Sequence, residues 1–262
     1  MLPGFIFALT AIAHCNPVDG EAQLWANANT RYVLVGEVHG TAETPALFGD
    51  LVCAAHASGR PVVVGVEAAD TEQGAIDRFM ASDGGEAAKA AFLQSPIWSS
   101  QIKDGRSSRA YFRLFERLRR YKQSGQIAEV VAIHAVGRTH SQTESNAMTA
   151  DRISDAAKRQ RDAIEFVLLG NVHASKGDFD FGTEHVVPAA ADLPPQETIS
   201  LNVIFGGEAW GCRSVGSDCG PHQWGAPRAE PRSVRLDRPD PPRYDGAIYL
   251  GVPTTASPPA AP

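Results

Sequence analysis

Tyr32-Val33-Leu34-Val35-Gly36-Glu37-Val38-His39-Gly40 is a short apolar run that ends abruptly in a glutamate and a histidine set between glycines. A continuous apolar run, rather than an alternating one, implies a strand covered on both faces, as in a parallel sheet between helix layers. The same kind of run recurs at 61–66, 130–135, 166–169, 199–205 and 247–250, and longer stretches with helical spacing separate them. Strands alternating with helices are the mark of βαβ units. The expected fold is therefore α/β: a mostly parallel sheet of about five to six strands with helices on both faces, followed by an irregular Gly/Pro/Cys-rich C-terminal segment.

Three helices stand out. The stretch 45–58 has Thr44 at the N-cap, Pro45 at the first helical position and Gly59 just past the end. In 107–124, Tyr111, Leu114, Phe115, Leu118 and Tyr121 recur at three- and four-residue spacing. Arg106, Arg109, Arg113, Arg117 and Arg120 make a second stripe there, read as a solvated face or as an anion-binding rail. The third pattern is 145–159. From Gly206 to Arg243 periodicity fades and Gly, Pro, Trp and Cys dominate. This reads as loop, with 206–225 placed to cover a site as a lid. The tail 253–262, with Pro258, Pro259 and Pro262, offers little to bury and is expected to be disordered. No repeat and no long linker divides residues 14–252, which are read as one α/β domain.

The first fourteen residues carry no Asp, Glu, Lys or Arg, and Ala11-Ile12-Ala13 suits signal peptidase, so 1–13 reads as a secretory signal. The absence of a basic n-region leaves a buried N-terminal strand or helix as the other reading. This apolar stretch is shorter than the roughly 20 residues a membrane span needs. Export to the periplasm or secretion would allow disulfides. The four cysteines permit three pairings, and Cys212 with Cys219, flanking a short polar stretch, is the favoured pair. No Cys-x-x-Cys occurs, which argues against zinc bound through sulfur. A net charge of −6 gives no basic footprint for nucleic acid, leaving a small molecule or a peptide as the expected partner.

Polar residues gather where the apolar runs end. The first run ends in Glu37 and His39. The second, Val62-Val63-Val64-Gly65-Val66, ends on Glu67, and a later one, Val167-Leu168-Leu169-Gly170-Asn171-Val172, ends on His173. The carboxyl edge of an open α/β sheet is where ligands bind. Two of the three ends use the same Gly-x-x-His spacing. A half-buried glutamate is costly unless paired, and His39 and His173 could pair with Glu37 and Glu67. Gly40, Asn171, Glu208 and Trp210 are candidates for contacting substrate. His134 reads as core or support, while His140, His185 and His222 fall in loops.

These motifs, with a helical insertion holding Trp98, resemble the superfamily that joins erythromycin esterases, the ChaN haem-uptake proteins and the Tiki/TraB proteins. The resemblance spans roughly residues 30–205 and implies that Glu37, His39, Glu67 and His173 occupy the active-site positions. Relatives carry an Arg-Asp-x-x-Met-Ala stretch where this chain has Glu144-Ser145-Asn146-Ala147-Met148. An arginine that served there would have to come from elsewhere.

The leading functional expectation is a hydrolase of an ester or amide. His39 would act as general base, Glu37 or Glu67 would orient it, and His173 would stabilise the oxyanion or protonate the leaving group. The same four residues make an acceptable N/O ligand set for a divalent metal. The alternative is a ChaN-like haem- or other ligand-binding protein without turnover, with the arginine stripe meeting propionates and Tyr111 or Tyr121 on the iron.

Overall fold

The computed structural model describes residues 15–99, 104–135, 141–160, 162–182, 184–214 and 217–261. The signal segment 1–13, the expected start near His14, and His140 lie outside the described residues.

In the first third of the chain come α1 (Gln23–Ala26), β1 (Tyr32–Glu37), α2 (Glu43–Ala55), β2 (Val62–Ala69), α3 (Gln73–Ala81), α4 (Glu86–Leu93) and α5 (Pro96–Ser99). The middle holds α6 (Arg109–Gln123), β3 (Glu129–His134), α7 (Gln142–Arg159), β4 (Ile164–Gly170), α8 (Asn171–Ala174), β5 (Phe179–Asp180) and β6 (His185–Val186). Then follow β7 (Thr198–Ile204), β8 (Gly207–Ser214), β9 (Ser217–Trp224), β10 (Ser233–Arg235) and β11 (Gly246–Tyr249).

All six apolar runs are strands of one seven-stranded sheet in the order β10-β11-β7-β1-β4-β2-β3. The seventh strand, β10, pairs antiparallel with β11 and the other pairings are parallel. With three residues, β10 is too short to show a period. Alternate strand residues feed two cores. Val33, Val35, Val64, Val66, Phe166 and Leu168 pack with α2, α3 and α6, while Leu34, Val63, Val131, Val167 and Leu169 pack against α7. Both sheet faces are thus covered, which is why the strands read as continuous apolar runs.

Three local expectations are corrected. The α2 helix begins at Glu43 after an N-cap at Ala42, and Thr44 lies inside it, its hydroxyl accepting from Thr41. Within the expected loop 206–243, residues 225–232 and 236–243 carry no strand or helix, while β8 and β9 pair as a two-stranded antiparallel hairpin. Its backbone ladder needs no apolar period, because the strands pair with each other rather than bury a face.

The tail is ordered over residues 253–261. Thr254 bridges Gly207, the Ser257 amide donates to the Gly40 carbonyl, and the carbonyls of Ser107 and Pro258 accept from Ala260 and Arg109. The Ser257 hydroxyl accepts the Ala110 amide and Ser108 accepts that of Tyr111, so this strap caps the start of α6. It is held by main-chain hydrogen bonds to a helix start that would otherwise leave donors unpaired, a source of order that apolar content does not reveal.

Cys212 and Cys219 are joined, as are Cys15 and Cys53, the second bridge tying the N-terminal segment to α2. Among the described residues no helix is long and apolar enough to cross a membrane.

Candidate active site

The strand order sets the site. Both β1 and β2 flank β4, with Glu37 opposite Gly170 and Val66 opposite Leu168. The ends of three neighbouring strands therefore converge on Gly170. Its amide donates to Glu67 Oε2 at 2.5 Å. A side chain there would start 3.1 Å from His39 Nε2, 3.3 Å from His173 Cδ2 and 3.5 Å from Glu67 Oε2. The missing side chain is the space in which the two histidines and the glutamate meet.

His39 stands between two carboxylates. Its Nδ1 lies 2.9 Å from Glu37 Oε1 and its Nε2 3.5 Å from Glu67 Oε2. Burial alone would lower its pKa, but the Glu67 and Glu37 carboxylates overcome that and raise it to about 9. At neutral pH this imidazole is a cation. Glu67 is 4% exposed. Burial would raise its pKa; His39, Arg106 and His173, with the Gly170 amide, bring it down instead to about 2. Glu37, 1% exposed, is raised by burial, opposed by the bond with His39. Its outer oxygen and the buried Tyr111 hydroxyl influence each other's ionisation without reaching hydrogen-bond geometry.

His173 is the opposite case. Its Nδ1 is 2.6 Å from Asn146 Oδ1, and the Asn146 amide nitrogen donates to the Val187 carbonyl at 2.7 Å. A carbonyl only accepts, which fixes the orientation of the Asn146 amide and turns its oxygen toward the ring. Nδ1 therefore carries the proton and Nε2 keeps its lone pair. Burial lowers the His173 pKa, so the ring is neutral at pH 7.

Arg106 completes the cluster, and the sequence reading had placed it on the stripe of a helix. The α6 helix begins only at Arg109, so Arg106 belongs to the preceding turn and reaches Glu67 Oε1 at 2.8 Å, with Asp104 on its other side. The Asp104-Gly105-Arg106 turn, a glycine between opposite charges ahead of the Ser108 cap, was the available signal. The turn rests on Gly40, where φ is +83° and a side chain would lie 2.0 Å from the Trp210 carbonyl. Gly40 accordingly positions three segments rather than contacting substrate through a side chain: its carbonyl accepts from Trp210 and Ser257, and Gly105 packs on its main chain.

Two cavities flank the cluster. One, of about 410 Å³, is lined by Glu37, His39, Asn171, His173, Trp210 and Trp224 among others; the other, of about 540 Å³, by Glu67, Glu72, Arg106, Ser107 and His134 among others. Asp104 borders both. Of the residues expected to touch substrate, Asn171 and Trp210 line the first cavity, whereas Glu208 is exposed and not part of either lining. His134 sits beside His173, ring centroids 6.5 Å apart, and burial lowers its pKa.

Among the described residues no three His, Cys, Asp or Glu side chains are placed together to hold a metal ion. Each of the four sequence-predicted residues has a protein partner: Glu67 in Arg106 and Gly170, His39 in Glu37, and His173 in Asn146. Haem ligation through tyrosine is not supported either. Tyr111 and Tyr121 are buried in the core, and the Tyr121 hydroxyl accepts from Arg117. The arginine stripe is divided rather than a rail: Arg109, Arg113 and Arg120 are exposed, Arg117 binds Asp50, and Arg106 enters the site.

No protein-family model matches this chain, and no curated protein matches it in sequence. Solved structures do match. A mutant of the erythromycin esterase EreC in its open conformation superposes with a TM-score of 0.66 at 10% identity, covering 88% of this chain and 92% of that one. A succinoglycan biosynthesis protein gives 0.57 at 10% identity over 78% and 73%. The haem-binding ChaN of Campylobacter jejuni gives 0.46 at 12% over 79% and 92%, too loose a superposition to carry an argument. At these identities the likeness is one of fold, and it is the fold that the strand-end motifs implied.

Proposed function

We propose that this protein is a hydrolase of an ester or amide in which His173 takes the proton of the attacking water and protonated His39 holds the oxyanion. The carrying observation is that two imidazoles face one space over Gly170, His39 between two carboxylates that raise its pKa to about 9 and His173 with its pKa lowered by burial. The roles are exchanged relative to those expected from the sequence, because a histidine with a pKa of about 9 already holds its proton at neutral pH. Neutral His173, with its Nε2 lone pair unused, is the better base.

The water oxygen bonds to the acyl carbon as its proton passes to His173 Nε2, and the carbonyl oxygen becomes an oxyanion. His39 Nε2–H is available to it, since 3.5 Å to Glu67 is too long for a direct hydrogen bond. Collapse breaks the bond to the alcohol or amine, which receives the proton from His173. One water is consumed and His173 returns to its neutral form. Glu37 and Glu67 keep His39 charged, and Arg106 with Asp104 keeps Glu67 in place. That a neighbour of this fold is an esterase supports putting esters first.

The two disulfides support placing the protein in an oxidising compartment, periplasmic or secreted. The test is a panel of esters and amides assayed across pH. Activity should rise with pH as His173 loses its proton, below pH 6.5, and fall near pH 9 as His39 does. His173→Ala and His39→Ala should each abolish turnover, and hydrolysis surviving in both would sink the mechanism.

A further inference from the structure

The second cavity contains polar groups that the mechanism leaves unused. Glu72, 4% exposed at the turn after β2, has an oxygen with no hydrogen-bond partner, and so does the Ser107 hydroxyl, 3% exposed. A buried polar atom left unpaired costs about 1–3 kcal/mol, so a structure keeps such atoms where something else satisfies them. Both residues line the same chamber of about 540 Å³, which has Ala68, Ala69 and Ile97 as apolar wall.

The charges there are unbalanced. Among the described residues lining the chamber, Glu67, Glu72 and Asp104 set three carboxylates against one guanidinium, Arg106. That guanidinium is already committed to Glu67 and Asp104, and burial keeps His134 neutral. One oxygen of Glu72 and the Ser107 hydroxyl, unpaired beside an apolar-walled chamber whose described lining carries more carboxylates than cations, suit a cation that can donate hydrogen bonds.

We infer that the second cavity is a subsite for an alkylammonium group of the substrate, with Glu72 and Ser107 as the residues that select it. The inference rests on the hydrolase reading only in calling the ligand a substrate. Asp104 borders both chambers, and Glu67 of the second accepts from Gly170 of the first, so the subsite adjoins the space over Gly170.

The test is titration calorimetry of the full chain with n-butylammonium chloride, using n-butanol as the neutral counterpart of the same shape. The ammonium should bind at least tenfold tighter than the alcohol. Glu72→Gln, judged folded by circular dichroism, should bring the two within twofold, and Ser107→Ala should weaken the ammonium alone. Should Glu72→Gln fail to fold, Ile97→Trp fills the chamber from a partly exposed apolar position of its lining and should abolish binding of both probes. A wild-type protein without preference for the ammonium, or a preference untouched in whichever of these variants folds, overturns the inference. The titration needs no turnover. Ammonium preference without hydrolysis of any ester would leave the subsite standing and remove the hydrolase reading, and hydrolysis without the preference would do the reverse.

Discussion

Replacing Arg106 with alanine isolates the electrostatics of the site from its chemistry. Glu67 is nearly fully buried, yet its pKa is held at about 2 rather than 4.5. At about 1.4 kcal/mol per pKa unit, that shift is worth about 3 kcal/mol in favour of the carboxylate. His39 and Arg106 are its leading favourable causes, in that order. Arg106→Ala should therefore cost about 2 kcal/mol at pH 7, below the roughly 3–5 kcal/mol of a fully buried pair because the guanidinium keeps some contact with water. The sign with pH follows from the depressed pKa. The stabilisation is complete above pH 4.5 and is lost as pH falls through about 2, where the folded state also protonates Glu67. Urea denaturation of wild type and variant at pH 7, 5, 4 and 3 should show the gap narrowing below pH 4.5. A cycle with Glu67→Gln should show that the two changes are not additive. An equal gap at pH 7 and pH 3, or simple additivity, would refute the account of Arg106 as the counter-charge of Glu67.

Other outcomes follow from the same geometry. Gly170→Ala should leave stability within about 1 kcal/mol, because its backbone is ordinary for any residue. It should still cut turnover about tenfold or more by crowding His39 Nε2, a comparison of melting temperature with rate that fails if both stay unchanged. Ser257→Ala removes the acceptor for the Ala110 amide and should destabilise by about 1 kcal/mol in urea melts, as loss of a helix cap does. Replacing Cys212 and Cys219 together by serine should cost the hairpin roughly 2 kcal/mol by chain entropy for so short a loop. Because Cys212 and Trp210 line the first cavity, KM should rise more than kcat falls, and unchanged kinetics would separate the hairpin from binding.

The sheet was legible because its strands are buried on both faces, so 32–35, 61–66 and 166–169 carry unbroken apolar runs. The meeting of Glu37, His39, Glu67 and His173 was legible for the same reason: each follows such a run, and parallel strands end on one edge. Arg106 was hidden by its neighbours, since Arg109 and Arg113 extend its spacing into a helix that starts three residues later. Asn146 gave no signal because its role depends on Val187 reaching it across the fold. The strap and the β8–β9 hairpin were misread because main-chain hydrogen bonding orders them, and main-chain groups are the same in every residue. The proposed exchange of histidine roles was likewise invisible, as protonation depends on which carboxylates stand nearby in space.

The strap bears on when the site can exist. A chain is synthesised from its N-terminus, so residues 37–173 emerge well before 254–260. Until the later residues arrive, the amides of Arg109 and Ala110 and the carbonyl of Gly40 lack those partners, and the turn that carries Arg106 is not yet anchored. The emerging chain would carry an unfinished Glu67 counter-charge, and the cluster around Gly170 would be assembled last.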